Sequence, residues 1–318
     1  MTTPKYRRLC QTERDTIYRL RKLVKSQAEI AETIGFRPST VSREIARNMG
    51  GRGYRPKQAG QRAAARKMRQ RRERKIVGAL ADEVEGRLHR HHSPVQITGF
   101  LNKLGYDAPS HETIYQHIVR DKKAGGDLYT KLRINSKRRY RRRVRAQRGN
   151  IVGRVGIEER PPSVETRRYF GDYEVDLVEG AKGTGFILSL VERKSRFTLF
   201  RKLADKTKVS VSAAIVDALR AMKVRTLTYD NGLEFAGHLE VSRLLMARSY
   251  FCAPYHAWEK GLVENHNGLL RQYYPKGSSF EHITAAGLQD VEDAINERPR
   301  KTLEFSCPLD YLKHITAA

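Results

Sequence analysis

The chain has 318 residues and a formal net charge of +27, and its three cysteines lie far apart. An odd number of cysteines without a CxxC pair argues against a disulfide framework and against a cysteine-based zinc site. No apolar run approaches the roughly 18 residues of a membrane span and no signal-peptide core follows the basic N-terminus, so we expect a cytoplasmic, nucleoid-associated protein without a membrane partner.

The positive charge is concentrated in the first half of the chain. Residues 1–150 hold 38 Lys and Arg against 13 Asp and Glu, whereas residues 151–318 hold 24 against 22. Nucleic acid is favoured over an anionic membrane as the polyanionic partner, because no basic amphipathic helix with an aromatic apolar face is present. We therefore expect double-stranded DNA to bind the first half.

The first predicted element is a helix-turn-helix domain at residues 1–51. Apolar spacing predicts three helices, with Ser26 at the start of the second, Gly35 at its end and Pro38 at the start of the third. The exposed side of the third helix would meet the major groove. It carries four candidate DNA contacts, Ser39, Thr40, Arg43 and Arg47. A small helical domain with an ordinary solvated face is the alternative.

A basic linker and a second helix-turn-helix domain are predicted next, at residues 52–75 and 76–130. The linker is rich in Arg, Gln, Ala and Lys and offers little apolar surface to bury. The second domain has a helix start at Ser93, a turn at Gly105 and a second start at Ser110. Its candidate DNA contacts are His111, Thr113 and His117. A purely architectural role is the alternative, because this stretch is less basic than the first.

A second basic linker is predicted at residues 131–150. The run from Lys131 to Arg148 contains ten Lys and Arg and no acid, so it cannot fold on its own and should contact phosphates without sequence preference. Its candidate contacts are Arg138, Arg139, Arg141, Arg142 and Arg143. A domain boundary near Asn150 follows.

From residue 172 the apolar period changes to that of strands, which predicts an α/β domain at residues 151–318. Strands are expected at 172–179, 186–191, 196–203, 224–229 and 249–252, with helices at 207–222 and 235–247 and a third carrying Glu264. The result is a mixed five-stranded sheet flanked by helices, which resembles the ribonuclease H-like fold. The overall fold class is therefore multidomain, with all-α N-terminal domains before this α/β domain.

Acidic residues mark a candidate catalytic site in this domain. The two-residue strand period puts Asp172, Glu174 and Asp176 on one face, so periodicity alone cannot choose among them. Asp230 stands at a strand end before a sharp Asn-Gly turn that would expose its carboxylate.

Thirty-three residues separate the third acid from Asp230. Glu264 shares a helical stripe with Asn267 or Gly268 and with Arg271, so an acid and a phosphate-binding cation could face one cleft. Glu259 is the nearest rival, at the helix start. Two divalent cations held by oxygen ligands can clamp the attacking and leaving oxygens of a phosphodiester, which is why acids in this order indicate metal-dependent DNA strand transfer. No P-loop pattern is present, so we expect no nucleotide cofactor.

Three segments resemble the catalytic blocks of insertion sequence 30 family transposases: GDYEVDLV at 171–178, TYDNGLEFAGH at 228–238 and WEKGLVENHNGLLRQYYPKG at 258–277. Further similarity covers nearly the whole chain, through PSTVSREI at 38–45, SHETIY at 110–115 and NERPRK at 296–301. The chain departs from the family pattern at Asp172 and Tyr173, where His-Trp is usual, and at Val175 and Glu304, where Gly is common.

The resemblance implies that Asp176, Asp230 and Glu264 are the acidic triad. It further implies terminal inverted repeats and target DNA as substrates. We expect two Mg²⁺ ions per active site, with Mn²⁺ as a substitute, additional phosphate contacts from Arg271 and Lys276, and a homodimer or higher homo-oligomer on DNA. The transposase would nick the ends of its element and join them to DNA.

Two other functions are compatible with the same sequence. A structure-specific nuclease would use the same triad to cut without joining. A helix-turn-helix regulator would keep the second half as an inactive scaffold, but an unused acidic cluster would repel itself without metal.

Overall fold

The computed structural model describes residues 7–69, 76–133, 151–254 and 256–317. The chain divides into two compact units, Met1–Arg74 and Lys75–Ala318. The first unit contains the first predicted helix-turn-helix, and the second contains both the helices of the second helix-turn-helix and the predicted sheet. The boundary predicted near Asn150 lies outside the described residues and stays a prediction.

The first unit contains helices and a short hairpin: α1 (Gln11–Lys22), α2 (Gln27–Ile34), α3 (Pro38–Asn48), β1 (Met49–Gly50), β2 (Gly53–Tyr54) and α4 (Pro56–Arg69). Local signals set the limits of α2. Ser26 and Glu29 form a capping box, in which each side chain accepts the backbone N–H of the other. Gly35 adopts a left-handed conformation with φ of 68° and ends the helix. The predicted helix-turn-helix is therefore confirmed.

Helix α4 and strand β2 differ from the linker predicted at residues 52–75. Tyr54 and Ala59 are buried in the apolar core formed with α1, α2 and α3. Arg66 Nη2 also donates to Asn48 Oδ1 at 2.7 Å. Residues 53–69 thus belong to the first unit, because Tyr54 and Ala59 are buried in the core that its three helices form.

The second unit begins with three helices, α5 (Ala79–His89), α6 (Pro94–Lys103) and α7 (His111–Lys123). Ser93 and Ser110 cap α6 and α7 by accepting backbone N–H groups, and Gly105 makes the turn between them with φ of 82°. Their apolar residues form one cluster that includes Val84, Leu88, Ile97, Leu101, Ile114 and Ile118.

After a short helix α8 (Pro162–Glu165), five strands form one sheet: β3 (Asp172–Glu179), β4 (Phe186–Glu192), β5 (Thr198–Leu203), β6 (Thr226–Tyr229) and β7 (Arg248–Phe251). The strand order is β5-β4-β3-β6-β7, in which the β5–β4 and β4–β3 pairs are antiparallel and the β3–β6 and β6–β7 pairs are parallel. This is the predicted mixed sheet, so the fold class is confirmed.

Helices cover both faces of the sheet: α9 (Lys208–Leu219) and α10 (His238–Leu245) on one, α11 (Gly261–Tyr273) and α12 (Ala285–Asn296) on the other, with α13 (Pro308–Ala317) last. Tyr173 and Val175 of β3 pack in the core with α9, whereas Val178 packs with α11 and α12. The even-numbered side of β3 therefore faces α11. No helix in the described ranges is long and apolar enough to cross a membrane.

Candidate active site

The three acids of β3 have different surroundings, although they share one face of the strand. Asp172 is fully buried and accepts a 2.8 Å hydrogen bond from the Thr226 hydroxyl. Glu174 is 1% exposed and is bonded to the Arg193 guanidinium. The side chain of Asp176 is 22% exposed. Of the three acids, Asp176 is therefore the one that reaches solvent, because the other two are enclosed by the protein.

Asp176, within β3, and Asp230, directly after β6, lie at neighbouring positions of two parallel strands. Glu174 is paired in register with Thr228, so two residues further along each strand bring Asp176 beside Asp230. The Asn-Gly turn after β6 fixes the second carboxylate, since Asp230 Oδ1 accepts the N–H of Gly232 at 3.0 Å. Its other oxygen, Oδ2, faces the Lys260 ammonium.

One lysine ammonium bridges the two aspartates. Lys260 Nζ lies 2.8 Å from Asp176 Oδ1 and 3.4 Å from Asp230 Oδ2, and it donates to the Val175 carbonyl at 3.0 Å. Burial disfavours its charge, but the carboxylates of Asp176 and Asp230 outweigh burial and raise the Lys260 pKa. No sequence motif singled out Lys260, although it lies four residues before Glu264 and directly precedes α11.

Helix α11 places Glu264 on the side of the sheet that carries Asp176, without a contact between Glu264 and the aspartates. Lys260, four residues before Glu264, and Asn267, three residues after it, both contact Asp176. Asn267 Nδ2 donates to Asp176 Oδ2 at 2.7 Å. Glu264 therefore lies on the helix face that meets β3, and its side chain is exposed. Across the residues that the structure describes, no three His, Cys, Asp or Glu side chains are grouped to hold a metal ion.

The groups around Asp176 nevertheless fit a hard divalent cation. Asp176 and Asp230 direct one oxygen each at the same position, where a cation already lies in the form of the Lys260 ammonium. Asn267, whose Nδ2 donates to Asp176 Oδ2, carries a further amide oxygen, Oδ1, that is buried without a hydrogen-bond partner. Carboxylate and amide oxygens are the ligands that Mg²⁺ and Mn²⁺ accept. Asp176, Asp230 and Glu264, with Asn267, are the residues that could hold such ions.

The rival acid Glu259 has a structural position. Its Oε2 accepts the Ala253 backbone N–H at 2.8 Å, and its Oε1 lies 3.0 Å from His256 Nδ1. Both oxygens are therefore engaged in the loop that precedes α11. The neighbouring Trp258 is 70% exposed and stacks on the His256 ring, with 4.3 Å between ring centroids.

The DNA contacts predicted on α3 lie mainly on its outer side. Val41 and Ile45 are buried, as expected, and the side chains of Ser39, Arg43 and Arg47 are exposed, whereas Thr40 is partly buried. Arg43 Nε donates to the Ser39 carbonyl at 3.0 Å, so the guanidinium lies along the helix surface. This surface can enter a groove.

The DNA contacts predicted on α7 are more engaged within the protein. His111 is exposed, but Thr113 is half-buried and its hydroxyl lies 2.9 Å from that of Ser110. His117 Nε2 lies 2.7 Å from a carboxylate oxygen of Glu85. A DNA contact by His117 would first have to break this pair.

The remaining predicted phosphate contacts differ in availability. Arg271 Nη2 donates to the Glu179 carbonyl at 2.7 Å, so its guanidinium is partly committed to the end of β3. Lys276 is exposed in the loop after α11. The basic run contributes Arg138, Arg139, Arg141, Arg142 and Arg143, which lie outside the described residues.

Comparison with known proteins identifies relatives along nearly the whole chain. A family model described as a helix-turn-helix domain matches residues 5–48. The chain is 40% identical to the transposase for insertion sequence element IS4351 of Bacteroides fragilis, over 96% of each protein. It is 36% identical to the transposase InsI for insertion sequence element IS30C of Escherichia coli K12, over 89% of this chain and 78% of that protein. Among solved structures, the catalytic core domain of BIV integrase matches 46% of this chain and 95% of its own, with 22% identity and a TM-score of 0.37.

Proposed function

Because this chain belongs to the insertion sequence transposases, the family that includes those of IS30, we propose that it binds the terminal inverted repeats of its own element and carries out metal-dependent cleavage and transfer of DNA strands. In this proposal α3 reads the repeat, and Asp176, Asp230 and Glu264 are the acidic triad. The active protein would be a homodimer or higher homo-oligomer on DNA.

The observation that carries the proposal is the convergence of Asp176 and Asp230 on one cation position. Their oxygens lie 2.8 and 3.4 Å from the same ammonium nitrogen. Two carboxylates this close repel each other unless a cation lies between them, so the position between Asp176 and Asp230 favours a bound cation. Asp172 and Glu174 are enclosed in the protein and contribute to its fold. Asp176 and Asp230 are instead accessible to solvent, so they are available to bind an ion.

Each residue of the triad has a separate task. Asp176 and Asp230 would hold the first ion between them, and Glu264 would complete the site for the second from the facing helix. Mg²⁺ ions held by these residues would supply Lewis acidity for a water or 3′-hydroxyl nucleophile and for the departing 3′-oxygen. Asn267 orients Asp176 through its 2.7 Å hydrogen bond. Lys276, exposed beyond the end of α11, would contact a backbone phosphate.

The basic first half of the chain would supply the grip on DNA. Its cations neutralise phosphates, which gives affinity without sequence preference, whereas residues on α3 add the reading of base edges. Binding and chemistry therefore depend on different residues, so substitutions in the triad should leave end binding intact.

The test is to compare cleavage and binding on one duplex that carries the element's terminal repeat. Asp176→Asn, Asp230→Asn and Glu264→Gln are each expected to abolish Mg²⁺-dependent strand cleavage while the gel shift persists. Glu259→Gln is the matched control, since it keeps an acceptor for Ala253 and should retain cleavage. Near-normal cleavage by any triad variant would remove that residue from the site.

A second assay separates transposition from the two alternatives. A pre-cleaved repeat end is incubated with plasmid, Mg²⁺ and the full chain, and joined products are counted. Joining that depends on Glu264 supports a transposase. Cleavage without joining would identify a nuclease, and binding without either reaction would identify a regulator.

A further inference from the structure

We propose that the Lys260 ammonium is a built-in counter-ion of Asp176 and Asp230. It occupies the position between the two carboxylates in the metal-free protein and must leave that position when a divalent ion binds. This inference rests on the proposed function, since it takes Asp176 and Asp230 as the ion ligands. It assigns to Lys260 the role of a positioning residue that keeps the two carboxylates together and lowers their affinity for metal.

The contacts of Lys260 account for three directions around its ammonium. Nζ donates to Asp176 Oδ1 and to the Val175 carbonyl and lies 3.4 Å from Asp230 Oδ2. The residue is 5% exposed, which is unusual for lysine. Of the three donor hydrogens of the ammonium, two are donated to Asp176 and to the Val175 carbonyl, and Asp230 adds an ion pair. These contacts therefore hold the Lys260 ammonium between the two aspartates in the metal-free protein.

The ammonium and a divalent ion cannot occupy this position together. Mg²⁺ binds oxygen ligands at about 2.1 Å, and the oxygens that would bind it, on Asp176 and Asp230, are the ones that face Nζ. A second cation at this position would compete for the same lone pairs and be repelled by the ammonium at close range. Binding of the ion by the aspartates thus requires Lys260 to withdraw.

The place of Lys260 in the chain allows this withdrawal. It is the last residue of a 3-10 turn, Ala257–Lys260, and directly precedes α11. The side chain reaches the aspartates through a flexible four-carbon stem, so the ammonium can move without moving the helix. The opposing charge on the pair is then supplied by the bound ion instead of by the lysine.

Ion affinity is the first measurement. Mn²⁺ is titrated calorimetrically into the metal-free full chain, as wild type, Lys260→Met and Lys202→Met. Lys202 is the matched control, because its ammonium donates to the backbone carbonyls of Glu281 and Ile283 and contacts neither aspartate. Lys260→Met is expected to bind Mn²⁺ at least about tenfold more tightly than wild type. Lys202→Met should match wild type, and equal affinities for all three proteins would overturn the proposal.

A measurement on the wild-type protein covers the case in which Lys260→Met does not fold. An amine-reactive reagent is applied with and without Mg²⁺, and modification of each lysine is quantified by mass spectrometry. Lys260 should be protected without the ion and become several-fold more reactive with it, whereas exposed Lys276 should react equally in both conditions. Protection of Lys260 that Mg²⁺ leaves unchanged would contradict its withdrawal.

Asp230→Asn separates failure of this proposal from failure of the proposed function. If Asp230→Asn weakens Mn²⁺ binding but Lys260→Met leaves it unchanged, the aspartates bind the ion and Lys260 is not its competitor. If Asp230→Asn also leaves Mn²⁺ binding unchanged, the aspartate pair is not the ion site and the proposed function fails as well.

Discussion

Glu174 accepts a hydrogen bond from the backbone N–H of Val263 at 3.0 Å, which ties strand β3 directly to the first turn of α11. The two residues lie beside the candidate ligands, since Asp176 is two residues beyond Glu174 and Glu264 directly follows Val263. The other oxygen of Glu174 is paired with the buried Arg193. The buried pair of Glu174 and Arg193 therefore helps to set the distance between Asp176 on β3 and Glu264 on α11.

Removing the cation of this pair is expected to destabilise the second unit. Arg193→Met should lower the free energy of unfolding by roughly 3–5 kcal/mol, because it leaves the Glu174 carboxylate buried without its partner. Denaturant unfolding followed by circular dichroism measures this change. Arg220→Met is the control, since its pair with Asp217 is exposed on both sides and should contribute little. Similar losses in the two variants would show that the buried pair has no special weight.

Replacing Glu304 by glycine is expected to stabilise the protein. Glu304 has φ of 51° and ψ of 41°, a left-handed conformation that costs a non-glycine residue roughly 1–2 kcal/mol. The greater freedom of glycine in the unfolded chain offsets roughly 0.5–1 kcal/mol of that gain. Glu304→Gly should therefore raise the melting temperature by roughly 1–4 °C.

The matched control for this substitution is Glu297→Gly. Glu297 is also exposed, but its φ is −83°, which any residue adopts without strain. Glycine at this position has no strain to relieve and should not raise the melting temperature. A rise of the same size in both variants would contradict the explanation from backbone conformation.

Arg43→Ala is expected to weaken binding to the terminal repeat more than binding to random DNA. An exposed arginine on the recognition helix can read a guanine edge, which contributes roughly 1–3 kcal/mol of discrimination. Gel shifts on both DNAs at one salt concentration measure the ratio of affinities. Lys25→Ala, an exposed cation that precedes α2 and is paired with Glu29, should leave this ratio unchanged. An equal loss on both DNAs would identify Arg43 as a phosphate contact.

The basic run from Lys131 to Arg148 is expected to act through its charge. Each phosphate contact steepens the log–log salt dependence of binding by roughly 0.9. Replacement by Gln should flatten this slope and weaken binding to cognate and random DNA alike, when it is made at Arg138, Arg139, Arg141, Arg142 and Arg143 together. Affinities measured from low to high salt give the slope, and an unchanged slope would mean that the run does not contact phosphates.

Local sequence signals determined most of the secondary structure. The apolar alternation at 172–179 coincides with β3, and Ser26 and Gly35 set the limits of α2. These features could be predicted because strand alternation, capping and left-handed glycine depend on residues close together in the chain. The Arg-rich helix α4 could not be assigned to the first unit in this way, since its burial depends on Tyr54 and Ala59 meeting helices formed earlier in the chain.

The sequence by itself also indicated the acidic candidates: periodicity and position gave Asp230, Glu264 and the acids of β3 as a group, and the family resemblance implied Asp176 within that group. Tertiary structure decided how the members of that group differ, because burial comes from partners distant in sequence. Asp172 accepts a hydrogen bond from Thr226, fifty-four residues away, whereas Asp176 is paired with Lys260, eighty-four residues away. Periodicity specifies the face on which a side chain lies but not the group opposite it, and for that reason only the folded chain placed an ammonium between the two aspartates.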